Sequence, residues 1–220
     1  MDSIVIIGAS GHCKVIIDII EKRNEYIIMG LIDSYKTAGE NIMGYPILGN
    51  ESLIPDLLNT QKIIGGIIAI GDNWVRSEMC DIIKALAPTF KFIPAIHPNA
   101  ILYNNLHIQE GVVIMAGAIV NSGSTIEAFC FLNTKASLGH DSIMHPYASL
   151  APNVTIAGQV EIGAFSAISI SATISNAIKI GIHTVIGASA LVLKDVEDLV
   201  VAYGIPAKKI RSRRIGDVYL

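Results

Sequence analysis

The chain is poor in charge and in cysteine and has no long hydrophobic run, and each scarcity removes a class of protein. Only 16% of its 220 residues are charged and 51% are hydrophobic. Even so, no apolar run approaches the roughly 18 to 20 residues of a membrane-spanning helix, so no membrane insertion is expected. The apolar residues must instead be spread through short elements, with a core on one side and a covered face on the other. Three cysteines, Cys13, Cys80 and Cys130, are far apart and odd in number, which suits reduced thiols and excludes a disulfide framework. The six histidines show no H-x-x-x-H or Cys/His ligand spacing, so no metal is expected. A net charge of −3 argues against nucleic-acid binding, although Lys208, Lys209, Arg211, Arg213 and Arg214 make the C-terminal end locally basic. The opening residues MDSIVIIGASGH run straight into a strand and a glycine turn. No signal peptide is read there, which predicts a cytoplasmic protein.

What the chain has in abundance is a period of six. From Leu102 to Glu197, sixteen consecutive hexapeptides run without a gap, and every sixth residue from Leu102 through Ile114, Leu132, Leu138 and Ile168 to Val192 is aliphatic. Four residues further on in each repeat the side chain is usually small or β-branched, as in Ala118, Ser124, Ala136, Ser142 and Ala190. One inward aliphatic and one small corner residue per six predict a parallel β-helix whose short strands share a core. If three hexapeptides make one triangular turn, residues eighteen apart stack at strand spacing, roughly 4.8 Å. Such a prism is a rigid scaffold for a site, and threefold cyclic packing is a natural closure for its flat faces.

The first hundred residues follow another pattern. Ile4–Ile7 is an apolar run ending in Gly8-Ala9-Ser10-Gly11-His12, after which Val15, Ile16, Ile19 and Ile20 recur at helical spacing. A second strand, Tyr26–Ile32, ends at Asp33. A third, Lys62–Ile70, ends at Gly71-Asp72-Asn73 and feeds an amphipathic helix from Trp74 to Leu86. Strands alternating with helices predict a small doubly wound α/β domain, whose ligands sit outside the carboxyl ends of the strands. The loops there carry Ser10, Gly11 and His12, then Asp33 and Ser34, then Gly71. The glycine turn offers Gly8-x-x-Gly11 and not G-x-G-x-x-G, so a nicotinamide cofactor is not expected. A glycine turn at a helix N-terminus can still hold a diphosphate, and Asp33 stands where an acid would accept ribose hydroxyls. A structural turn followed by a solvated acid is the other reading. Ile93-Pro94-Ala95-Ile96-His97-Pro98 closes this part, which divides the chain into residues 1–97 and 98–220.

One histidine stands apart from the others. His140 is the third residue of its hexapeptide and so points out of the core, and its neighbour Asp141 can orient an imidazole, the second half of a general-base pair. Gly158 lies eighteen residues on, so accessible backbone is expected one coil away from His140. A base, a carboxylate and an amide N–H are the minimum kit for acyl transfer. His145, His183, His107 and His97 have no acid beside them and read as surface residues.

These features together resemble the bacterial sugar O- and N-acyltransferases, a family that includes sialic acid O-acetyltransferases and UDP-4-amino-sugar N-acetyltransferases. The resemblance rests on Ile7-Gly8-Ala9-Ser10-Gly11-His12, Leu31-Ile32-Asp33, Ile70-Gly71-Asp72-Asn73, Ile96-His97-Pro98, Leu132-Asn133-Thr134, Gly139-His140-Asp141 and Gly204-Ile205-Pro206-Ala207-Lys208, and it covers essentially the whole chain. It implies a Rossmann-like nucleotide-sugar-binding domain followed by a left-handed β-helix, acetyl-coenzyme A as acyl donor, and a homotrimer with active sites between neighbouring β-helices. It also implies His140 as general base, Asp141 as its acid partner, and Asn133 as an orienting group for the acceptor. Gly158, Ile170 and Ala188 fall where relatives contact acetyl-coenzyme A, with Lys208 near its phosphates; Ser10, Gly11, His12, Asp33, Ser34 and Gly71 match the nucleotide-sugar loops. Two positions depart from the pattern. Ser149 replaces a second histidine near the acetyl thioester, and Ser34 stands where some relatives have a second acid. The implied activity is N-acetylation of a nucleotide-activated amino sugar in bacterial surface-glycan biosynthesis; O-acetylation of sialic acid or a related sugar is the alternative.

Overall fold

The computed structural model describes residues 1–219. The chain forms two compact units, Met1–Pro98 and the remainder from Asn99.

In the first unit, β1 (Asp2–Ile7), α1 (Gly11–Arg23), β2 (Tyr26–Ile32), β3 (Asn41–Ile42), β4 (Tyr45–Gly49), α2 (Ile54–Asn59), β5 (Gly65–Ile68), α3 (Asn73–Leu86) and β6 (Lys91–Phe92) follow in order. Ile4–Ile7 is apolar at every position because β1 is central, with β2 and β5 parallel to it on either side and four residues essentially inaccessible to solvent. Ile16, Ile17, Ile19 and Ile20 bury one stripe of α1, which stops where Asn24 turns left-handed (φ 52°) and donates its N–H to the Ile20 carbonyl. The sheet order β3-β4-β2-β1-β5-β6 contains three strands that hydrophobic pattern does not predict. They are short, lie toward the two edges, and include Pro46, so no period-2 signal develops. Strand β5 also covers only Gly65–Ile68 of the expected Lys62–Ile70 stretch.

The second unit is a coil of two-residue strands arranged in three parallel sheets. Its first face is built from Val113–Ile114, Phe131–Leu132, Ser149–Leu150, Ala167–Ile168 and Val185–Ile186; its second runs from Ile101–Leu102 through Ser137–Leu138 to Leu191–Val192; its third runs from Thr125–Ile126 to Lys179–Ile180. Each strand pairs with the one eighteen residues away, as in Phe131↔Ser149, Ile119↔Ser137 and Ile143↔Glu161. The repeated aliphatic is the second residue of each strand and points inward. From Ile114 to Val192 none of these side chains is more than 3% exposed, each contributing about 2 kcal/mol of burial free energy. Fifteen of the sixteen repeats form a strand. The exception is His107-Ile108, where the coil begins: the third face has no strand below Thr125–Ile126, and Leu102 and Ile108 are only half-buried. At the other end Val200–Gly204 continues the first face and folds back on Ala207–Ser212 as an antiparallel hairpin.

A second periodicity is built into the backbone. The residue three beyond each inward aliphatic from Leu102 to Ile186 adopts a left-handed conformation, as at Gly123 (φ 75°), Phe129 (58°), Asp141 (55°), Tyr147 (62°), Gln159 (61°) and Phe165 (60°). This conformation turns each corner of the prism, so side chains at this position stack in three columns, one per corner.

Candidate active site

His140 and Asp141 lie on the corner between the second and third faces. Buried serines hold both ends of that corner. Ser124 Oγ donates to the Gly139 carbonyl (2.6 Å) and accepts from Ser142 N–H (3.2 Å), while Ser142 Oγ accepts from Val160 N–H one coil on (3.1 Å). His140 Nδ1 is 2.8 Å from Asp141 Oδ2, and both side chains remain more than half exposed. A carboxylate at this distance favours the neutral tautomer with its proton on Nδ1, in which Nε2 keeps its lone pair. Nε2 has no hydrogen-bond partner among the described residues.

Gly158 is the floor of this site. A Cβ there would lie 2.3 Å from His140 Nε2, 2.6 Å from Cε1 and 2.8 Å from Cδ2, so the ring rests directly against the glycine. This corrects the expectation of accessible backbone: Gly158 is buried, because the absence of a side chain lets the imidazole settle onto it. The corner residue below Asp141 is also a glycine, Gly123, which the hexapeptide pattern does not mark; it lies eighteen residues back from the acid, as Gly158 lies eighteen forward from the base.

The remaining coil residues lie elsewhere. Asn133, Ile170 and Ala188 occupy the corner between the first and second faces. Asn133 Oδ1 accepts its neighbour's N–H from Thr134 (2.7 Å). Ile170 is 53% exposed, and Ala188, one coil further, is exposed on the same corner, linked to it by the Ser189 N–H to Ile170 carbonyl bond. Ser149 is half-buried on the first face, paired with Phe131 and Ala167. Lys208 is exposed in the terminal hairpin opposite Tyr203. One chain therefore does not bring Asn133, Ile170 and Ala188 to His140, since the second face separates the two corners.

In the first unit, the loops at the carboxyl ends of β1, β2 and β5 enclose a cleft of about 230 Å³ lined by Ser10, Asp33, Ser34 and Gly71 together with Tyr35, Glu51, Val75 and Met79. Ser10 occupies the N-cap of α1 without capping it by its side chain. Asp33 bridges the loops, accepting from Ala9 N–H and Tyr35 N–H at 2.8 Å each, and Ser34 donates to the Glu51 carboxylate. Arg76, fully buried, donates to the Ile70 and Gly71 carbonyls at 3.0 Å and to Asn73 Oδ1 at 2.8 Å, fixing the third loop. Gly11 and His12 do not line the cleft. They begin α1 behind it, where burial and the Arg76 charge push the His12 pKa down to about 4. Glu51 escaped the sequence analysis because it lies in a non-periodic stretch after β4.

Three other histidines are not the surface residues expected. His97 and His183 are buried. His145 lies between Glu127 (3.2 Å) and Glu161 (3.1 Å), the latter also paired with Lys179 at 3.0 Å. Burial opposes the charged imidazole of His145, but the two carboxylates outweigh it and raise the pKa. Stacking, not sequence adjacency, supplied these acids. Among the described residues, no group of histidine, cysteine, aspartate or glutamate side chains is arranged to hold a metal ion, and no helix is long and apolar enough to cross a membrane.

Comparison with known proteins places this geometry in context. Residues 3–83 match the PglD N-terminal domain family. A histidine-to-asparagine variant of perosamine N-acetyltransferase from Caulobacter crescentus, solved with CoA and GDP-perosamine, superposes with a TM-score of 0.90 at 30% identity, covering 96% of this chain and 98% of that one. The acetyltransferase domain of PglB from Neisseria gonorrhoeae, solved with acetyl coenzyme A, gives 0.85 at 27% identity over 95% and 99% of the two chains. The UDP-N-acetylbacillosamine N-acetyltransferase of Bacillus subtilis is 33% identical over 122 residues, 53% of this chain and 52% of that enzyme. The match thus spans about half the length of that curated relative.

Proposed function

The chain belongs to the hexapeptide-type sugar acyltransferases, and from that premise we propose that it N-acetylates a nucleotide-activated amino sugar, with His140 as general base. The observation that carries this reading is the exposed His140–Asp141 pair at 2.8 Å, in which the acid engages Nδ1 and not Nε2. The relatives named as N-acetyltransferases of amino sugars favour an amine over a hydroxyl acceptor.

Acetyl-coenzyme A supplies the acetyl group as a thioester. His140 Nε2 takes the proton of the acceptor amine as its nitrogen bonds to the acetyl carbon and the C–S bond breaks, and that proton leaves with the coenzyme as its thiol. Asp141 stabilises the transient imidazolium and holds the ring in the Nδ1–H tautomer. No residue forms an acyl-enzyme, so holding both substrates in register supplies much of the rate. The exposed side chains of Ile170 and Ala188, one coil apart on one corner, fit an apolar pantetheine arm lying along the coil. Lys208 suits the phosphates, and Ser149 offers a hydroxyl where relatives carry a histidine.

In the first unit, Ser10 and Gly71, which line the cleft, suit a diphosphate, and Asp33 with Ser34 suits the ribose end. Gly11 and His12 support that loop from behind. We read this unit as Rossmann-like and the coil as left-handed, the arrangement that goes with hexapeptide repeats of this kind. Because the coenzyme corner and the base corner are apart within one chain, a second copy must bring them together, which supports a homotrimer with sites between adjacent coils. Asn133 then orients the acceptor across that interface. A cytoplasmic step in surface-glycan assembly fits these substrates.

The test is steady-state thiol release with UDP-, GDP- and dTDP-linked amino sugars and with free sialic acid, comparing the wild type with His140→Ala. Turnover on an amino-sugar nucleotide should fall at least a hundredfold, at the low end of about 10²–10⁴ for a lost general base. An unchanged kcat would remove His140 as the base, and turnover with sialic acid alone would replace the amine by a hydroxyl.

A further inference from the structure

We infer that Gly123 is a positioning residue for acyl transfer: its missing side chain leaves the space in which the Asp141 carboxylate reaches the His140 imidazole. The inference rests on the reading of His140 as base. Gly123 lies eighteen residues before Asp141, at the same left-handed corner position one coil below. A Cβ on Gly123 would stand 2.2 Å from Asp141 Oδ1 and 3.2 Å from its Cγ. The other oxygen of that carboxylate is the one bonded to His140 Nδ1 at 2.8 Å.

Hydrogen bonds anchor the backbone on both sides of that contact, so the flexible end of the Asp141 side chain gives way first. Asp141 N–H donates to the Ser122 carbonyl at 3.0 Å, and Ser124 holds the Gly139 carbonyl at 2.6 Å. The carboxylate itself must swing, and a swing that frees Oδ1 carries Oδ2 away from the imidazole. His140 would then lose the acceptor that keeps its proton on Nδ1, and the tautomer with a blocked Nε2 would become populated.

The left-handed backbone is not what demands glycine here. Phe129, Lys135, Asp141 and Tyr147 hold the same conformation at the same repeat position with full side chains. Gly117 provides the internal control, since its φ of 68° is equivalent while a Cβ there would meet only Lys135 Cγ at an ordinary 3.4 Å. Glycine above at Gly158 makes room for the ring, and glycine below at Gly123 makes room for the acid.

The experiment compares Gly123→Ala with Gly117→Ala, each alone and combined with Asp141→Ala. Gly123→Ala should lower kcat about tenfold to a hundredfold with KM for both substrates unchanged, the range expected for losing one hydrogen bond to a charged group. Gly117→Ala should stay within about twofold of wild type, since it adds only the shared backbone strain. In the Asp141→Ala background, where no carboxylate remains to displace, Gly123→Ala should cost no more than Gly117→Ala. Two-bond ¹H–¹⁵N spectra of the imidazole should show Nδ1–H in the wild type and a mixture of tautomers in Gly123→Ala. If Gly123→Ala alone does not accumulate as folded protein, recovery of folding in Gly123→Ala/Asp141→Ala carries the inference, and failure there too overturns it. Equal kcat for the two glycine variants, or losses that multiply fully with Asp141→Ala, would also overturn it. Those outcomes are separate from the fate of the base assignment, which His140→Ala decides on its own.

Discussion

Arg76 is the largest fully buried side chain of the protein, and its guanidinium does the work of a loop clasp by donating to the carbonyls of Ile70 and Gly71 and to Asn73. A buried cation is tolerated because its donors are satisfied, and its field has a consequence for His12. Burial first, and the Arg76 charge second, hold the His12 pKa down to about 4. The unfolded chain takes up this proton near the ordinary value of about 6.5, so between roughly pH 6.5 and 4 the unfolded state binds more protons than the folded one. Stability must therefore fall with falling pH across that window. Replacing the imidazole by an amide removes this contribution. Thermal unfolding from pH 7 to pH 4 should show His12→Gln losing less Tm than wild type, with the two curves converging or crossing toward the acid end; parallel curves would exclude His12 as a source of acid sensitivity. None of this was legible in sequence, where His12 is only the residue after a glycine turn and Arg76 is one polar residue on an amphipathic helix.

At the scale of the element, the hexapeptide was legible because burial constrains its chemistry: an inward position must be aliphatic, and an inward corner must be small. The left-handed corner position carries no such demand. Between the third and first faces it holds Phe129, Tyr147, Phe165 and His183, whose rings stack with centroids 5.0, 5.1 and 4.5 Å apart and nearly parallel planes. Between the second and third faces the same position holds Gly123, Asp141, Gln159 and Ala177. A column so mixed gives no hydrophobic period, and only the eighteen-residue spacing reveals it. The aromatic column ties successive coils together at one edge of the prism. Tyr147 stacks on both neighbours, so Tyr147→Ala should cost about 1–3 kcal/mol, two aromatic pairs at about 0.5–1.5 kcal/mol each beyond simple area burial. Alanine is acceptable to the backbone there, since Ala177 has the same conformation. Urea unfolding should show a lower midpoint, while the His140–Asp141 corner, on another edge, should keep its activity at temperatures where the variant is folded.

For the whole molecule, the two units were legible from their two periods, and the corner that holds the proposed base and its acid from the hexapeptide register. A site divided between chains was legible only through the family resemblance, because no pattern within one chain shows which corners of two copies would meet. His140, Asp141 and Gly158 share one corner, and Asn133, Ile170 and Ala188 another, with the second face between them. A parallel prism cannot fold one of its corners onto the next, so in the proposed trimer each site takes its base from one copy and its coenzyme track from a neighbour. This division predicts complementation between two inactive variants. His140→Ala disables the base corner, and Ile170→Asp places a charge where the pantetheine arm must lie, disabling the track. Each alone should be inactive, but each retains the corner the other lacks. Refolded together in equal amounts and mixed at random, the two should regain about a quarter of wild-type activity, the fraction of cyclic interfaces that pair an intact base corner with an intact track. Thiol-release assays on the mixture measure this directly. Mixtures no more active than either variant would place base and coenzyme on the same copy and would rule out a site shared between chains.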